Sequence, residues 1–493
     1  MSLKFFNTKS RQLEEFKPLH PPKVGLYSCG PTVYDYTHIG HLRTYVFVDL
    51  LKKTLRFFGY QVTHVLNITD VGHLTSDADT GEDKMEKRAK RVGKTVWELA
   101  DFYTRYFFWA LKKMGIEEPT LICRATDHLP EMINLIQRLE SKGYTYKTSD
   151  GIYFDTAKFK NYGQLARLNF KGLREGARVK KNPEKKNATD FALWKFSYPQ
   201  GRAFDKTLDD ASKRRQMEWQ SPWGLGFPGW HLECSAMSMK YLGETFDIHT
   251  GGVDHIPVHH TNEIAQSEAA TGKPFVRYWL HAGHLKIEGK KMSKSLGNFY
   301  RVEDLEKKGF YPLALRYLFL TAHYRSALDL RWEALTASQK AWEKLGEFIR
   351  ESRQMKKEKI SRRQQAKLAD FQRRFKEKLG SDLDFPAVLA LVWQLLKSQL
   401  PPVEKRDLLL GWDKVLGLDL GRFLRLVSVP SPSKEIRELL KQREVLRKRK
   451  EWVKADEIRQ KIEAQGYLLE DTPQGIRLKV KRMSPKVASK LKG

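Results

Sequence analysis

The sequence predicts an α/β protein with a doubly wound parallel sheet, an inserted segment, a helical region and a small basic C-terminal module. Two observations predict the sheet: strand and helix patterns alternate within residues 24–68, and the same alternation returns at 225–300. A third observation, an almost continuous helical pattern from about residue 330, predicts the helical region. The 493 residues are enough for about three domains.

The first sheet unit begins with an apolar strand at residues 24–28, which ends just before Cys29. A helical pattern follows from about Leu42 to Phe58, where apolar residues recur every three or four positions. The segment 61–66 is rich in β-branched residues and is predicted to be the next strand. A strand, a helix and a strand within about 45 residues are typical of a parallel, doubly wound sheet.

Residues 121–220 have a different pattern and are predicted to be an insertion between two halves of the sheet domain. A helix near residues 129–142 precedes a predicted hairpin at 144–154. Polar stretches at 172–189 and 200–216 follow, rich in Lys, Arg, Asn and Gly.

The charge balance is strongly basic, with 89 Lys plus Arg against 59 Asp plus Glu and a formal net charge of +30. Residues 434–493 alone hold 18 basic and 9 acidic residues, a difference of 9. This excess favours a polyanionic partner, because each neutralised phosphate releases a counterion. A solvated, solubilising surface is the alternative interpretation of the same composition.

The cysteine count and the hydropathy pattern indicate the cellular compartment in which the protein is expected. The three cysteines, Cys29, Cys123 and Cys234, are too few and too widely spaced for a disulfide framework, so reduced thiols or metal ligands are expected. No apolar run approaches the roughly 20 residues of a membrane helix, and the N-terminus lacks the apolar stretch of a signal peptide. We expect a cytoplasmic protein.

Residues 38–41 (HIGH) lie at the start of the helix that follows the first strand. Backbone N–H groups and the positive end of the helix dipole make such a position a phosphate site. The imidazoles of His38 and His41 could donate hydrogen bonds to a polyphosphate as charge develops. Gly40 would let adenine or ribose approach the backbone closely.

Residues 291–295 (KMSKS) form a second candidate phosphate-binding motif, on a loop with Gly289 and Gly297 beside it. Lysines on such a loop can close over a triphosphate and neutralise the leaving pyrophosphate. An exposed basic loop is the alternative for this segment taken alone. The two motifs in this order resemble those of the class I aminoacyl-tRNA synthetases.

A third constellation consists of Cys29, Cys234, His259 and Glu263. The spacing of four between His259 and Glu263 puts both on one helical face, whereas His260 points about 100° away. Two thiolates, an imidazole and a carboxylate form a chemically reasonable zinc site. From the residues alone, two small buried cysteines and a helix-surface pair remain an alternative.

The segments that contain these four residues, together with segments 67–73, 324–326 and 455–475, resemble the cysteinyl-tRNA synthetases from about residue 20 to 480. The resemblance implies a Rossmann-like catalytic domain that activates L-cysteine with ATP and Mg²⁺ and transfers it to the 3′-terminal adenosine of tRNA(Cys). It also implies one Zn²⁺ per chain, held by Cys29, Cys234, His259 and Glu263, that binds the cysteine thiol. We expect a monomer.

The resemblance assigns roles to further residues of this chain. The implied catalytic residues are His38, His41, Lys291 and Lys294. The implied ATP-binding residues are His38, Gly40, His41, Asp254 and Lys294. The implied cysteine-binding residues are Cys29, Thr69 and Trp230.

The resemblance also divides the chain into five parts. They are the first half of the catalytic domain (1–120), a connective domain (121–220), the second half with the KMSKS loop (221–300), a stem-contact region and helical bundle that bind tRNA (301–430) and a basic anticodon-binding domain (434–493). The chain departs from the family pattern at three places, one of which is an apparent insertion at residues 200–216. Leu478 stands in the segment where the family often has a Trp, and His255 stands where a Leu is common.

Two other functions are compatible with parts of this pattern. A cysteine ligase that acts on an amino sugar would share the sheet domain but lack the long basic helical end. A catalytically inactive paralogue that only binds tRNA would have lost one of the two phosphate-binding motifs, and this chain keeps both.

Overall fold

A computed structural model describes residues 2–71, 84–167, 182–198, 215–293, 296–425, 434–449, 451–465, 467–472 and 475–480. Lys294 lies outside these residues, as do residues 200–214 and 172–181 of the two polar stretches. Among the described residues, no helix is both long enough and apolar enough to span a membrane.

The strands are numbered in chain order. They are β1 (Lys4–Asn7), β2 (Gln12–Glu15), β3 (Lys23–Ser28), β4 (Gln61–Ile68), β5 (Leu121–Arg124), β6 (Thr145–Thr148), β7 (Gly151–Phe154), β8 (Phe191–Phe196), β9 (Gly226–Pro228), β10 (Phe246–Gly252), β11 (Val276–Ala282), β12 (Leu285–Ile287), β13 (Lys290–Lys291), β14 (Leu328–Leu330), β15 (Tyr467–Thr472) and β16 (Gly475–Val480).

The helices follow the same order. They are α1 (Ile39–Phe57), α2 (Lys84–Val92), α3 (Val96–Lys113), α4 (Leu129–Ser141), α5 (Trp230–Leu242), α6 (His259–Thr271), α7 (Val302–Lys307), α8 (Pro312–Leu320), α9 (Trp332–Glu351), α10 (Arg362–Gly380), α11 (Phe385–Lys397), α12 (Pro402–Leu416), α13 (Arg422–Arg425), α14 (Lys434–Lys448) and α15 (Trp452–Ala464).

The central sheet has the strand order β11-β10-β3-β4-β5, and all four pairings are parallel. The prediction of a doubly wound parallel sheet is therefore confirmed. The helix predicted from Leu42 begins three residues earlier, at Ile39, because His38 caps its N-terminus. The order of the strands reverses between β10 and β3, the position where α/β sheets usually bind ligands.

The inserted segment forms a separate antiparallel sheet of order β6-β7-β8-β9. The predicted helix and hairpin correspond to α4 and to β6 with β7. Two strands pair differently from the expected domain boundaries: β5, after residue 120, is the edge of the central sheet, and β9, after residue 220, belongs to the sheet of the inserted segment. The division of the chain into five domains remains a prediction.

The helical region shares one apolar core with the first half of the catalytic domain. In α10 and α12, for example, Phe375 stacks on Trp412 with ring centroids 4.6 Å apart. The basic module of α14, α15, β15 and β16 has a small core of its own, which includes Ile436, Ile462 and Leu469. Leu478 lies on β16, and its side chain is outside the described part of the structure.

A buried ion pair ties the helical region to the catalytic domain. Arg316 of α8 and Asp49 of α1 have no exposed side-chain surface, and Arg316 Nη2 lies 2.5 Å from Asp49 Oδ2. Arg316 also donates to the carbonyl oxygens of Leu416 and Met114, and Lys53 donates to Asp49 at 2.9 Å. The charges of Arg316 and Lys53 hold the pKa of Asp49 below its usual value against the opposing effect of burial.

We predict that Arg316→Met lowers the free energy of unfolding by about 3–5 kcal/mol, because it leaves the buried Asp49 without its main partner. Urea unfolding followed by far-UV circular dichroism measures this. The matched control is Arg373→Met, which removes half-exposed ion pairs with Asp370 and Glu377 and should cost less than about 1 kcal/mol. Equal losses in the two variants would contradict a stabilising role for the buried pair.

Candidate active site

A cavity of about 610 Å³ opens at the carboxyl ends of β3 and β10. Its walls include Cys29, which follows β3, and Gly251 and Gly252 at the end of β10. The N-terminus of α1 forms another wall, through His38 and His41. The cavity therefore lies where the strand order reverses, and it contains both a helix N-terminus and a buried thiol.

His38 is the N-cap of α1, and its Nδ1 accepts hydrogen bonds from the N–H groups of Gly40 (3.1 Å) and His41 (3.3 Å). Burial lowers the pKa of His38 to about 4, so the ring is neutral at pH 7. With Nδ1 as an acceptor, the proton of the neutral ring is on Nε2. The ring of His41 stacks on that of His38, with centroids 3.6 Å apart.

Gly40 brings the KMSKS segment against α1. A Cβ atom at this position would lie 2.6 Å from Cε of Met292 and 2.9 Å from the His38 ring. Lys291 is exposed on β13 and lines the cavity together with Met292. Gly40 also lines the cavity, and its close approach to a nucleotide remains a prediction.

Asp254, Trp230 and Thr69, which the resemblance assigned to substrate binding, occupy different positions. Asp254 and Trp230 line the cavity, Asp254 in the turn after β10 and Trp230 at the start of α5. Thr69 is buried, and its hydroxyl accepts from Asn67 at 3.0 Å. Its backbone pairs with Thr32, which lines the cavity.

The four residues of the expected metal site lie together. Among the described residues, one ligand atom each from Cys29, Cys234, His259 and Glu263 fall within 4.8 Å of one another, and all four side chains are buried. The two sulfur atoms are 3.9 Å apart, and His259 Nε2 is 2.9 Å from Glu263 Oε1. The loop after β3, helix α5 and helix α6 supply these side chains.

Cys29 and Glu263 also belong to a second group of four. Their ligand atoms and those of His249 and His260 lie within 4.8 Å of one another as well. His249 Nε2 is 2.9 Å from Glu263 Oε2, and His260 Nε2 is 3.4 Å from Cys29 Sγ. The expectation that His260 points away from the site is wrong, because Cys29 lies between the two helical faces and within reach of both imidazoles.

A chain of hydrogen bonds runs from the N-terminal hairpin to Cys29. Thr8 Oγ1 is 2.7 Å from His281 Nδ1, and His281 Nε2 is 2.8 Å from His260 Nδ1. Burial lowers the pKa values of His260 and His281 well below the usual value, so both rings are neutral. Because a neutral ring has one donor and one acceptor nitrogen, a donor at one end of this chain fixes every tautomer along it.

Comparison with known proteins identifies the family. The model of the class I tRNA synthetase (C) catalytic domain matches residues 15–340. A cysteine–tRNA ligase of Burkholderia lata is 49% identical over 480 residues, which cover 97% of this chain and 97% of that protein. One from Treponema denticola is 44% identical, over 96% of this chain and 98% of that protein. The chain belongs to the cysteine–tRNA ligase family of class I aminoacyl-tRNA synthetases.

A solved structure agrees with the fold of this family member. The methionyl-tRNA synthetase of Mycobacterium tuberculosis, in complex with methionyl-adenylate, has a TM-score of 0.58 and covers 83% of this chain and 94% of its own. At 14% sequence identity, this likeness concerns the fold alone.

The electrostatics of the cluster in this synthetase favour charged ligands. Burial opposes ionisation of Glu263, but His249 and His259 hold its pKa well below the usual value. Burial likewise opposes protonation of His259, yet Glu263 and Cys234 raise the pKa of His259 to about 10. A hydrogen bond from Cys29 lowers the pKa of Cys234 to about 7, and burial raises the pKa of Cys29. The cluster thus favours ionisation of Cys234 over ionisation of Cys29.

Sequence reasoning missed His249, His260, His281 and Thr8. They come from β10, α6, β11 and the N-terminal hairpin, so no local spacing relates them. The available signal was the number of histidines between residues 249 and 284, because imidazoles are costly to bury without partners.

We predict that His38→Ala lowers the free energy of unfolding by about 0.5–2 kcal/mol, since it removes the side-chain cap of α1. His38→Asn keeps an oxygen that can accept from the same N–H groups and should retain most of the stability. Thermal or urea unfolding of the two variants distinguishes them. Equal destabilisation by both substitutions would argue against the capping role.

Proposed function

We propose that this chain activates cysteine with ATP and transfers it to the 3′-terminal adenosine of tRNA(Cys). The observation that carries this proposal is the placement of a buried cluster of two thiols, an imidazole and a carboxylate beside the helix N-terminus of the same cavity. Such a cavity can select sulfur at one end and stabilise phosphate charge at the other.

We assign the metal ligands to Cys29, Cys234, His259 and Glu263. Two thiols, an imidazole and a carboxylate suit Zn²⁺, which prefers nitrogen and sulfur donors. His249 then serves as a hydrogen-bond partner that orients Glu263, a common role for the residues behind a metal ligand. Bound zinc would bind the substrate sulfur as a thiolate, which a serine hydroxyl cannot match.

The residues of α1 and of the KMSKS loop would act on ATP. The Nε2–H of neutral His38, the ring of His41 and the N-terminal amides of α1 can stabilise negative charge on the phosphates. Lys291 lines the same cavity, and Lys294 follows it in the loop. Mg²⁺ would accompany ATP, and Asp254 would accept a hydrogen bond from the ribose.

The first step is in-line attack of the cysteine carboxylate on the α-phosphate. A carboxylate-oxygen-to-phosphorus bond forms, and pyrophosphate leaves with its electron pair. Because the nucleophile is already an anion, positioning by Trp230 and Thr69 matters more than a general base. In the second step, a terminal ribose hydroxyl of tRNA attacks the carbonyl carbon, and AMP leaves.

We propose further that residues 301–430 contact the tRNA limb and that 434–493 read the anticodon, in a protein that acts as a monomer. The net charge of +30 supports an RNA partner. The relatives match over the helical region and the basic module as well as the catalytic domain. This extent argues against an amino-sugar ligase, and the retention of both phosphate-binding motifs argues against an inactive paralogue.

Exchange of pyrophosphate into ATP tests the proposed activation step without tRNA. We expect exchange with cysteine but not with serine or methionine. The exchange with cysteine should be lost when a chelator removes the zinc. Restoration by added Zn²⁺ is the control. Elemental analysis shows whether the treated protein is free of zinc. Exchange at full rate in zinc-free protein would refute the role of the zinc.

We predict that Cys234→Ser loses bound zinc and reduces cysteine-dependent exchange by at least about 100-fold, since a serine hydroxyl is a poor zinc ligand. Elemental analysis measures the metal independently of activity. The matched control is Cys123→Ser, because Cys123 is also buried but its sulfur contacts the carbonyl oxygen of Leu66. Cys123→Ser should keep its metal. Normal zinc content in Cys234→Ser would refute the ligand assignment.

A further inference from the structure

Trp97, in the first turn of α3, is an exposed aromatic residue. Its side chain is 46% exposed, although tryptophan is the largest apolar residue of the chain. One edge of its ring contacts Trp219, with centroids 6.5 Å apart and planes at 84°. Nearly half of its surface is available to solvent.

Trp219 connects this ring to the wall of the cavity. Its N–H donates to the carbonyl oxygen of Gly226 at 2.7 Å, and the N–H of Gly226 donates back at 2.9 Å. The next two residues, Phe227 and Pro228, line the cavity. Trp97 therefore packs against a residue that is hydrogen-bonded to the strand of the cavity wall.

Hydrogen bonds hold this contact in place. The N–H of Val96 donates to Gln216 Oε1 at 3.0 Å, and the N–H of Gln216 donates to Glu86 Oε1 at 3.0 Å. Thr95 caps α3, and Glu98 completes the capping box. The ring of Trp97 thus extends from a fixed helix start that is bonded to the inserted segment.

Several basic residues precede Trp97 in the sequence. Lys87, Lys90, Arg91 and Lys94 are exposed and lie within ten residues before Trp97. The two acidic side chains of this stretch have other contacts: Glu86 accepts from Gln216, and Glu98 accepts from Thr95. We call Lys87, Lys90, Arg91, Lys94 and Trp97 the basic-aromatic rim.

We infer that the basic-aromatic rim binds the unpaired 3′ end of the tRNA as it enters the cavity, with a base stacked on Trp97 and phosphates near Lys90, Arg91 and Lys94. This inference rests on the proposed function. Exposed aromatic faces beside lysines and arginines are the usual means by which proteins hold single-stranded nucleic acid. ATP and cysteine react inside the cavity, whereas the tRNA end must cross its rim.

The test compares Trp97→Leu, which keeps apolar packing, with Trp97→Phe, which keeps an aromatic face. We expect Trp97→Leu to lower kcat/KM for tRNA in aminoacylation by about 5- to 150-fold, the range for one stacked base. Trp97→Phe should retain most of the activity. Pyrophosphate exchange, which needs no tRNA, reports separately on the proposed activation chemistry.

Binding of tRNA that lacks its three terminal nucleotides locates the contact. Truncation should weaken binding to the wild-type protein but weaken binding to Trp97→Leu much less. The matched control is Phe57→Leu, at a 41% exposed aromatic residue at the far end of α1, which should charge tRNA normally.

Three results would overturn the inference. They are unchanged aminoacylation in Trp97→Leu, an equal loss in Trp97→Phe, or an equal effect of truncation on both proteins. If Trp97→Leu also loses pyrophosphate exchange, the binding of truncated and full-length tRNA is compared in Trp97→Phe instead. That comparison then decides whether residue 97 contacts the tRNA end. Absent exchange in the wild-type protein would instead refute the proposed function.

Discussion

A carboxylate with no access to solvent organises the centre of this protein. Burying an unpaired charge costs several kcal/mol, so Glu263 requires the two imidazoles that lie 2.9 Å from its oxygens. His249 comes from strand β10, and His259 comes from the same helix as Glu263. The parallel sheet must therefore be in register before this charge is compensated. The stability of the fold and the geometry of the proposed metal site depend on the same contacts.

The ends of the same strands also position the proposed phosphate-binding site at the start of α1. Helix α1 starts ten residues after Cys29, and its first turn lines the same cavity as the thiol of Cys29. In the proposed reaction, the cysteine is held by its sulfur at one end while its carboxylate approaches a phosphate at the other. Such positioning can account for a large share of a rate enhancement, because the entropy of bringing two substrates together is lost on binding.

The sequence predicted those parts of the structure that depend on local patterns. The strand before Cys29, helix α1 and the hairpin of β6 and β7 follow from periodicity and turn residues. The four proposed ligands were found by resemblance, since residues 205 positions apart give no compact motif. The contact of His260 with Cys29 could not be predicted, because it depends on how far strand β3 extends relative to helix α6. The membership of β5 in the central sheet likewise depends on tertiary pairing.

The wide separation of the cluster along the chain sets an order of events during synthesis. Cys29 leaves the ribosome 205 residues before Cys234. His281, the last member of its hydrogen-bonded network, emerges later than Cys234. Until those residues emerge, the thiol of Cys29 lacks the partners that shield it in the finished protein. Loading of the proposed metal is therefore a late event, and until then this sulfur lacks the protection from oxidation that burial gives it.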